Sequence, residues 1–183
     1  MSATDETADD IPRYERLCRE KAEAEIAAAD ALVPGSGRIR SVGDTLAEIV
    51  LVKGLPGPED RSAERALAGA DGDAADKALD ALGLPPERFA VCSRPSRSSA
   101  GVRAERLALI IEAVDPSIVV ALDPQASSDV ALAFGVNAIT SGEPLRLRGR
   151  TVLALDGLEA SLADERLKRR VWRQLQALAP AKP

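Results

Sequence analysis

Four short runs of β-branched and aliphatic residues recur along the chain, each separated from the next by a helical stretch. They are "EIVLV" (48–52), "RFAVC" (88–92), "SIVVAL" (117–122) and "RTVLAL" (150–155). Runs this short and this apolar suit strands buried on both faces. Between them, "DAADKALDALGL" (73–84) puts Ala75, Leu79 and Leu82 on one side, with Gly83 placed to cap the helix. "GVRAERLALIIEAV" (101–114) reads as a helix halted by Asp115-Pro116, and "QASSDVALAF" (125–134) as another. The alternation predicts a three-layer α/β/α domain with a mainly parallel central sheet of about four strands. "PLRLRG" (144–149) is an expected edge strand. Ligands of such folds gather beyond the carboxyl ends of the strands, here at 53–57, 92–95, 123–124 and 156–157.

The flanking segments divide the rest. Residues 1–10 are charged with almost nothing to bury and are expected to form a disordered tail. Residues 11–32 predict an N-terminal helix with Ile11, Tyr14, Leu17 and Cys18 along one edge. That edge either docks on its own domain or enters a partner's groove. "VPGSGRIRSVGD" (33–44) reads as a connecting loop, opening an α/β domain over 33–180. Ser161 and Asp164 look like a capping box for a last helix striped by Leu167, Val171, Leu175 and Leu178, with Trp172 expected to dock against the sheet. There is no internal repeat.

Composition narrows the chemistry. Aromatics are only 2% of the chain, so the core must be built from Ala, Leu, Val and Ile. A net charge of -5 argues against general polyanion binding and leaves DNA contact to a local basic patch. Cys18 and Cys92 are too few for a disulfide framework or a four-thiolate metal site, and they fit a reducing cytoplasm. The acidic start "MSATDETADD" is the opposite of a secretory signal, and no apolar run approaches the roughly 20 residues of a membrane span.

At the predicted strand ends, "LVKGLPGPEDR" (51–61) has the form of an active-site loop. It lacks the glycine spacing of a nucleotide-binding loop, so its Pro56-Gly57 reads as a turn. Lys53 reads as a lysine snorkelling at the lip of a pocket. Glu59, Asp60, Asp123 and Asp156 read as caps and turn formers rather than metal ligands. Ser96, Ser98 and Ser99 have no base to activate them, since the chain contains no histidine. Cys92 reads as an inert packing residue.

The order of these blocks is informative. "AEIVLVKGLPGPED", "GADGDAADKALDALGLPPERFAVCSRP", "VDPSIVVALDPQA" and "LRLRGRTVLALDGLEASLADERLKRRVWRQLQAL" resemble successive segments of the uracil-DNA glycosylase superfamily, nearest to its bacterial iron–sulfur branch. The resemblance implies that family's fold over most of the chain. It also implies a pocket built at Lys53, Gly54, Leu55, Pro56, Gly57, Leu67, Phe89, Asp156 and Gly157. At those places the family's functional residues are missing. Gly54 replaces the acid of the first loop, and Leu67 stands near the place of the phenylalanine that stacks on uracil. Phe89 stands near the asparagine that reads its edge, and Asp156-Gly157 replaces the His-Pro of the last motif. The cluster-binding cysteines are absent, so no cofactor and no metal are expected.

The resemblance therefore implies a glycosylase scaffold without its chemistry: a protein-interaction or weak DNA-binding subunit in DNA replication or repair. The alternative is an active glycosylase with a rearranged pocket that uses Asp156 or Asp60. Candidate DNA contacts are Arg94, Arg97 and Arg103 in one loop, and Arg169 and Arg170 in the last helix. Candidate protein-partner contacts are Ile11, Tyr14, Leu17 and Cys18.

Overall fold

The computed structural model describes residues 6–35 and 39–179. Its centre is a six-stranded mixed sheet formed by β1 (Val42–Gly43), β2 (Ile49–Lys53), β3 (Arg88–Cys92), β4 (Ile118–Ala121), β5 (Leu145–Leu147) and β6 (Arg150–Ala154), in the order β1-β3-β2-β4-β6-β5. The four runs read as strands are the parallel core β3-β2-β4-β6. Antiparallel strands close the two edges. The expected count of about four is thus corrected to six. The extra edge strand β1 has two residues, too few to show a period, and lies inside the stretch expected to be a loop.

Side-chain alternation along β2 sets the layers. Val50 and Val52 face a core shared with α1 (Glu6–Asp30), α4 (Ala100–Val114) and α5 (Pro124–Phe134). Ile49 and Leu51 face the opposite core, shared with α3 (Ala70–Ala81), α6 (Leu158–Ser161) and α7 (Glu165–Leu175). Lys53 continues the Ile49–Leu51 parity and points to the α3 side. A short α2 (Pro58–Ala63) follows the β2 loop.

Local chemistry ends the helices where the sequence suggests. Gly83 takes φ +69°, and the amides of Gly83 and Leu84 donate to Asp80 O and Leu79 O, so α3 closes with a Schellman motif. Ser99 caps α4, and Asp123 caps α5 ahead of Pro124. Asp164 alone caps α7, accepting from the amides of Arg166 and Leu167. The expected pairing with Ser161 is corrected: the Ser161 hydroxyl donates within α6, to Leu158 O.

Two further differences matter, as does the packing of α1, which the sequence left open. Helix α1 begins at Glu6 rather than at residue 11; residues 1–5 of the expected tail lie outside the described residues. The later part of α1 packs through Ala22, Ile26 and Ala29, while Ile11, Tyr14 and Leu17 stay exposed. Trp172 is 37% exposed rather than docked under its helix, because Val171 and Leu175 occupy the buried stripe. Among the described residues, no helix is long and apolar enough to cross a membrane.

Candidate functional site

The loop after β2 meets the amino ends of α5 and α6 in a cleft of about 390 Å³ at the carboxyl edge of the sheet. Lys53, Leu55, Asp156 and Gly157 line it, joined by Asp71, Asp123 and Glu159. The Lys53 side chain is not at the lip. It is 4% exposed, and its Nζ lies 2.8 Å from Asp60 Oδ2, 2.7 Å from Asp71 Oδ2 and 3.0 Å from Glu159 Oε2. The reading of a snorkelling lysine is thus corrected: three carboxylates turn the ammonium inward. Burial alone would lower the Lys53 pKa, but its hydrogen bonds to Asp60, Asp71 and Glu159 prevail and hold it above the ordinary lysine range.

Asp60 is the anchor of this cluster. Its carboxylate accepts from the amides of Gly57 at 2.7 Å and Ala68 at 2.8 Å as well as from Lys53. Burial pushes Asp60 up, yet Lys53 and the two amides bring it below the ordinary carboxylate range. Asp71 and Glu159 stand in the first turns of α3 and α6, two helices whose amino ends face the same edge. Neither stands out in the sequence, where an acid in the first turn of a helix is the one available signal.

Gly54 is closed to any side chain. Its amide donates to Asp123 Oδ2 at 2.7 Å, and a Cβ there would come within 2.6 Å of both Asp123 Oδ1 and Gln125 Cβ. Asp123 is engaged twice, because its Oδ1 also accepts from the Ala126 amide at 2.8 Å. Pro56 is buried and Gly57 caps α2, so both build the turn rather than face the cleft.

Leu67 and Phe89 are not brought to the cleft. Leu67 lines a separate depression with Leu51, Val42 and Ala90. Phe89 lies near the start of β3 and is buried in the α1–α4–α5 core. No aromatic residue lines the cleft among the described residues. Four carboxylates, Asp71, Asp123, Asp156 and Glu159, line the cleft against the single ammonium of Lys53, so the lining carries an excess of negative charge. Among the described residues no group of three or more acidic or cysteine side chains is arranged to hold a metal ion. Cys92, across the strand pair from Lys53, is buried, and its thiol is pushed up to about 12 chiefly by that burial, which leaves it without thiolate character.

The candidate DNA contacts divide. Arg94 makes a two-pronged bond to the buried carboxylate of Asp129, at 2.7 and 3.1 Å, and Arg103 stands 3.5 Å from the same group. Both are committed to holding the loop. Arg97 is exposed beside them. Arg169 and Arg170 are exposed on α7, with Arg170 3.4 Å from Asp156 at the cleft rim. Of the candidate partner contacts, Ile11, Tyr14 and Leu17 are free at the surface and Cys18 is half-buried. No protein-family model matches the chain, and no curated protein matches it.

Proposed function

We propose that this domain is a catalytically inactive relative of the uracil-DNA glycosylases that serves as a protein-interaction or weak DNA-binding subunit in DNA replication or repair. The observation that carries the reading is the Lys53 ammonium clasped by Asp60, Asp71 and Glu159 at the place where a ligand of such a fold would sit. Excising a base requires a flipped nucleotide to be stacked, read at its edge and stabilised as the glycosidic bond breaks. Here the cleft offers no ring for stacking, and its negative lining repels the phosphates on either side of a flipped base. Lys53 has its charge spent internally. Groups that act as a unit fail together, so loss of several leaves little residual rate.

An excision assay on uracil-containing single- and double-stranded DNA tests this. The expected result is no abasic sites above the spontaneous level at any protein concentration. Abasic sites formed in proportion to protein, and abolished by Asp156→Ala, would overturn the reading in favour of an active glycosylase with a rearranged pocket.

A further inference from the structure

Helix α7 carries a surface of a different character from the cleft. Arg166, Arg169, Arg170 and Arg173 fall at i, i+3, i+4 and i+7, so they share one face, and all four are exposed. The opposite stripe of Val171, Gln174 and Leu175 is buried. Among the described residues Arg166, Arg169 and Arg173 have no carboxylate at ion-pair distance, and Arg170 has only the 3.4 Å contact to Asp156. The four arginines and Trp172 border one shallow hollow of about 510 Å³. In a chain of net charge -5 this is a concentrated basic island.

We propose that this face of α7 binds a single-stranded polynucleotide, with the arginines pairing to consecutive phosphates and the Trp172 indole stacking on a base. At about 1.5 Å of rise per residue the arginine row is roughly 10 Å long, enough for more than one phosphate. Guanidinium forks match phosphate oxygens in pairs, and all the cations of the row are arginines. The exposed ring separates the candidate ligands. A single strand offers unpaired base faces that stack on an aromatic irrespective of sequence. A duplex keeps its base faces covered, and an acidic peptide satisfies the arginines but leaves the indole unused. The cleft, negatively lined, turns phosphate away, so the helix face is the better seat for nucleic acid. This proposal rests on the reading of the domain as DNA-associated, but not on whether the cleft excises bases.

Trp172 is the only tryptophan of the chain, so its fluorescence reports directly on the site. The full chain is titrated with an oligothymidylate and an oligouridylate of about 16 nucleotides. Saturable quenching by either strand is expected, with the logarithm of affinity falling against the logarithm of salt at a slope of about -2, as for three phosphates on a single strand. The double variant Arg169→Glu, Arg173→Glu should lose about tenfold or more in affinity at unchanged melting temperature. Arg13→Glu, exposed on α1 at the opposite face of the sheet, should bind like the parent chain. With a labelled strand, Trp172→Phe should retain binding and Trp172→Ala should weaken it. Charge reversal without effect would overturn the proposal. So would duplex DNA competing as well as the single strand. Equal quenching by polyglutamate of the same length would assign the face to an acidic protein instead. Excision measured in parallel keeps the two readings apart, since strand binding with excision sinks only the inactive assignment, and neither binding nor excision sinks only the helix face.

Discussion

The backbone amide of Gly54 donates to the Asp123 carboxylate at 2.7 Å, which ties the loop after β2 to the cap of α5. This contact leaves no volume for a side chain at position 54. Gly54→Ala is therefore expected to cost about 1–3 kcal/mol, because its Cβ must displace the α5 amino end. Gly54→Asp should cost more, since it adds a carboxylate against Asp123. Denaturant titrations of both variants check the order, and an excision assay on Gly54→Asp should stay blank. Recovery of excision with unchanged stability would show that the loop still accommodates the acid.

Replacing Lys53 should be among the costliest changes in the sheet. Lys53→Met keeps the aliphatic stem but leaves Asp60 and Asp71, at 1% and 4% exposure, without their cation. Breaking a buried ion pair from one side costs about 3–5 kcal/mol. The lower end is expected here, because Glu159 is half-exposed and the cleft admits water. Adding Asp71→Asn to Lys53→Met should recover part of the loss, with a coupling of about 1–3 kcal/mol in the double-mutant cycle. Strict additivity would mean that the two groups do not share their charge.

The same cluster gives the stability a defined dependence on pH. Asp60 titrates lower in the folded chain than its unfolded value of about 3.9, so its contribution is present above that value and is lost as pH falls through the folded pKa. Lys53 titrates higher than its unfolded value of about 10.4, so its contribution is present below that value and is lost as pH rises towards the folded pKa. Stability should hold level between the two unfolded values as far as these groups decide it. Urea midpoints across pH measure this, and Asp60→Asn should flatten the acid limb. An acid limb unchanged in Asp60→Asn would move the effect to other carboxylates.

Strand cores were legible because burial on both faces demands unbroken apolar runs, and the runs at Ile49–Lys53 and Ile118–Ala121 have no other easy explanation. The Lys53 cluster was not legible. Asp60 is close in sequence, but Asp71 lies 18 residues away and Glu159 106 residues away, and only the folded chain brings them together. Asp129 was hidden for the same reason, as a polar residue in an apolar helix whose partners Ser93 and Arg94 come from the carboxyl end of β3. Trp172 was misplaced because a large ring next to a buried Val171 looks like core, whereas a step of one residue turns it about 100° around the helix.

Helix α1 divides into two halves that should respond oppositely to substitution. Its later half is part of the core through Ala22, Ile26 and Ala29, and Asp30 pairs with the fully buried Arg106 at 2.7 Å. Arg106 in turn donates to Cys92 O at 2.8 Å, so α1 is fixed to the end of β3 through one guanidinium. Ile26→Ala should cost about 2–4 kcal/mol. Deleting residues 1–32 should remove cooperative unfolding, because it uncovers α4 and leaves the Arg106 charge buried without Asp30. Tyr14, by contrast, is 71% exposed, and Tyr14→Ala should stay within about 0.5 kcal/mol of the parent chain. If the free edge of Ile11, Tyr14 and Leu17 is where a protein partner seats, that same variant should lose the partner in co-purification at unchanged melting temperature. A Tyr14→Ala chain that melts several degrees lower would place the ring against its own domain, and a variant that keeps every partner would clear this edge of the role.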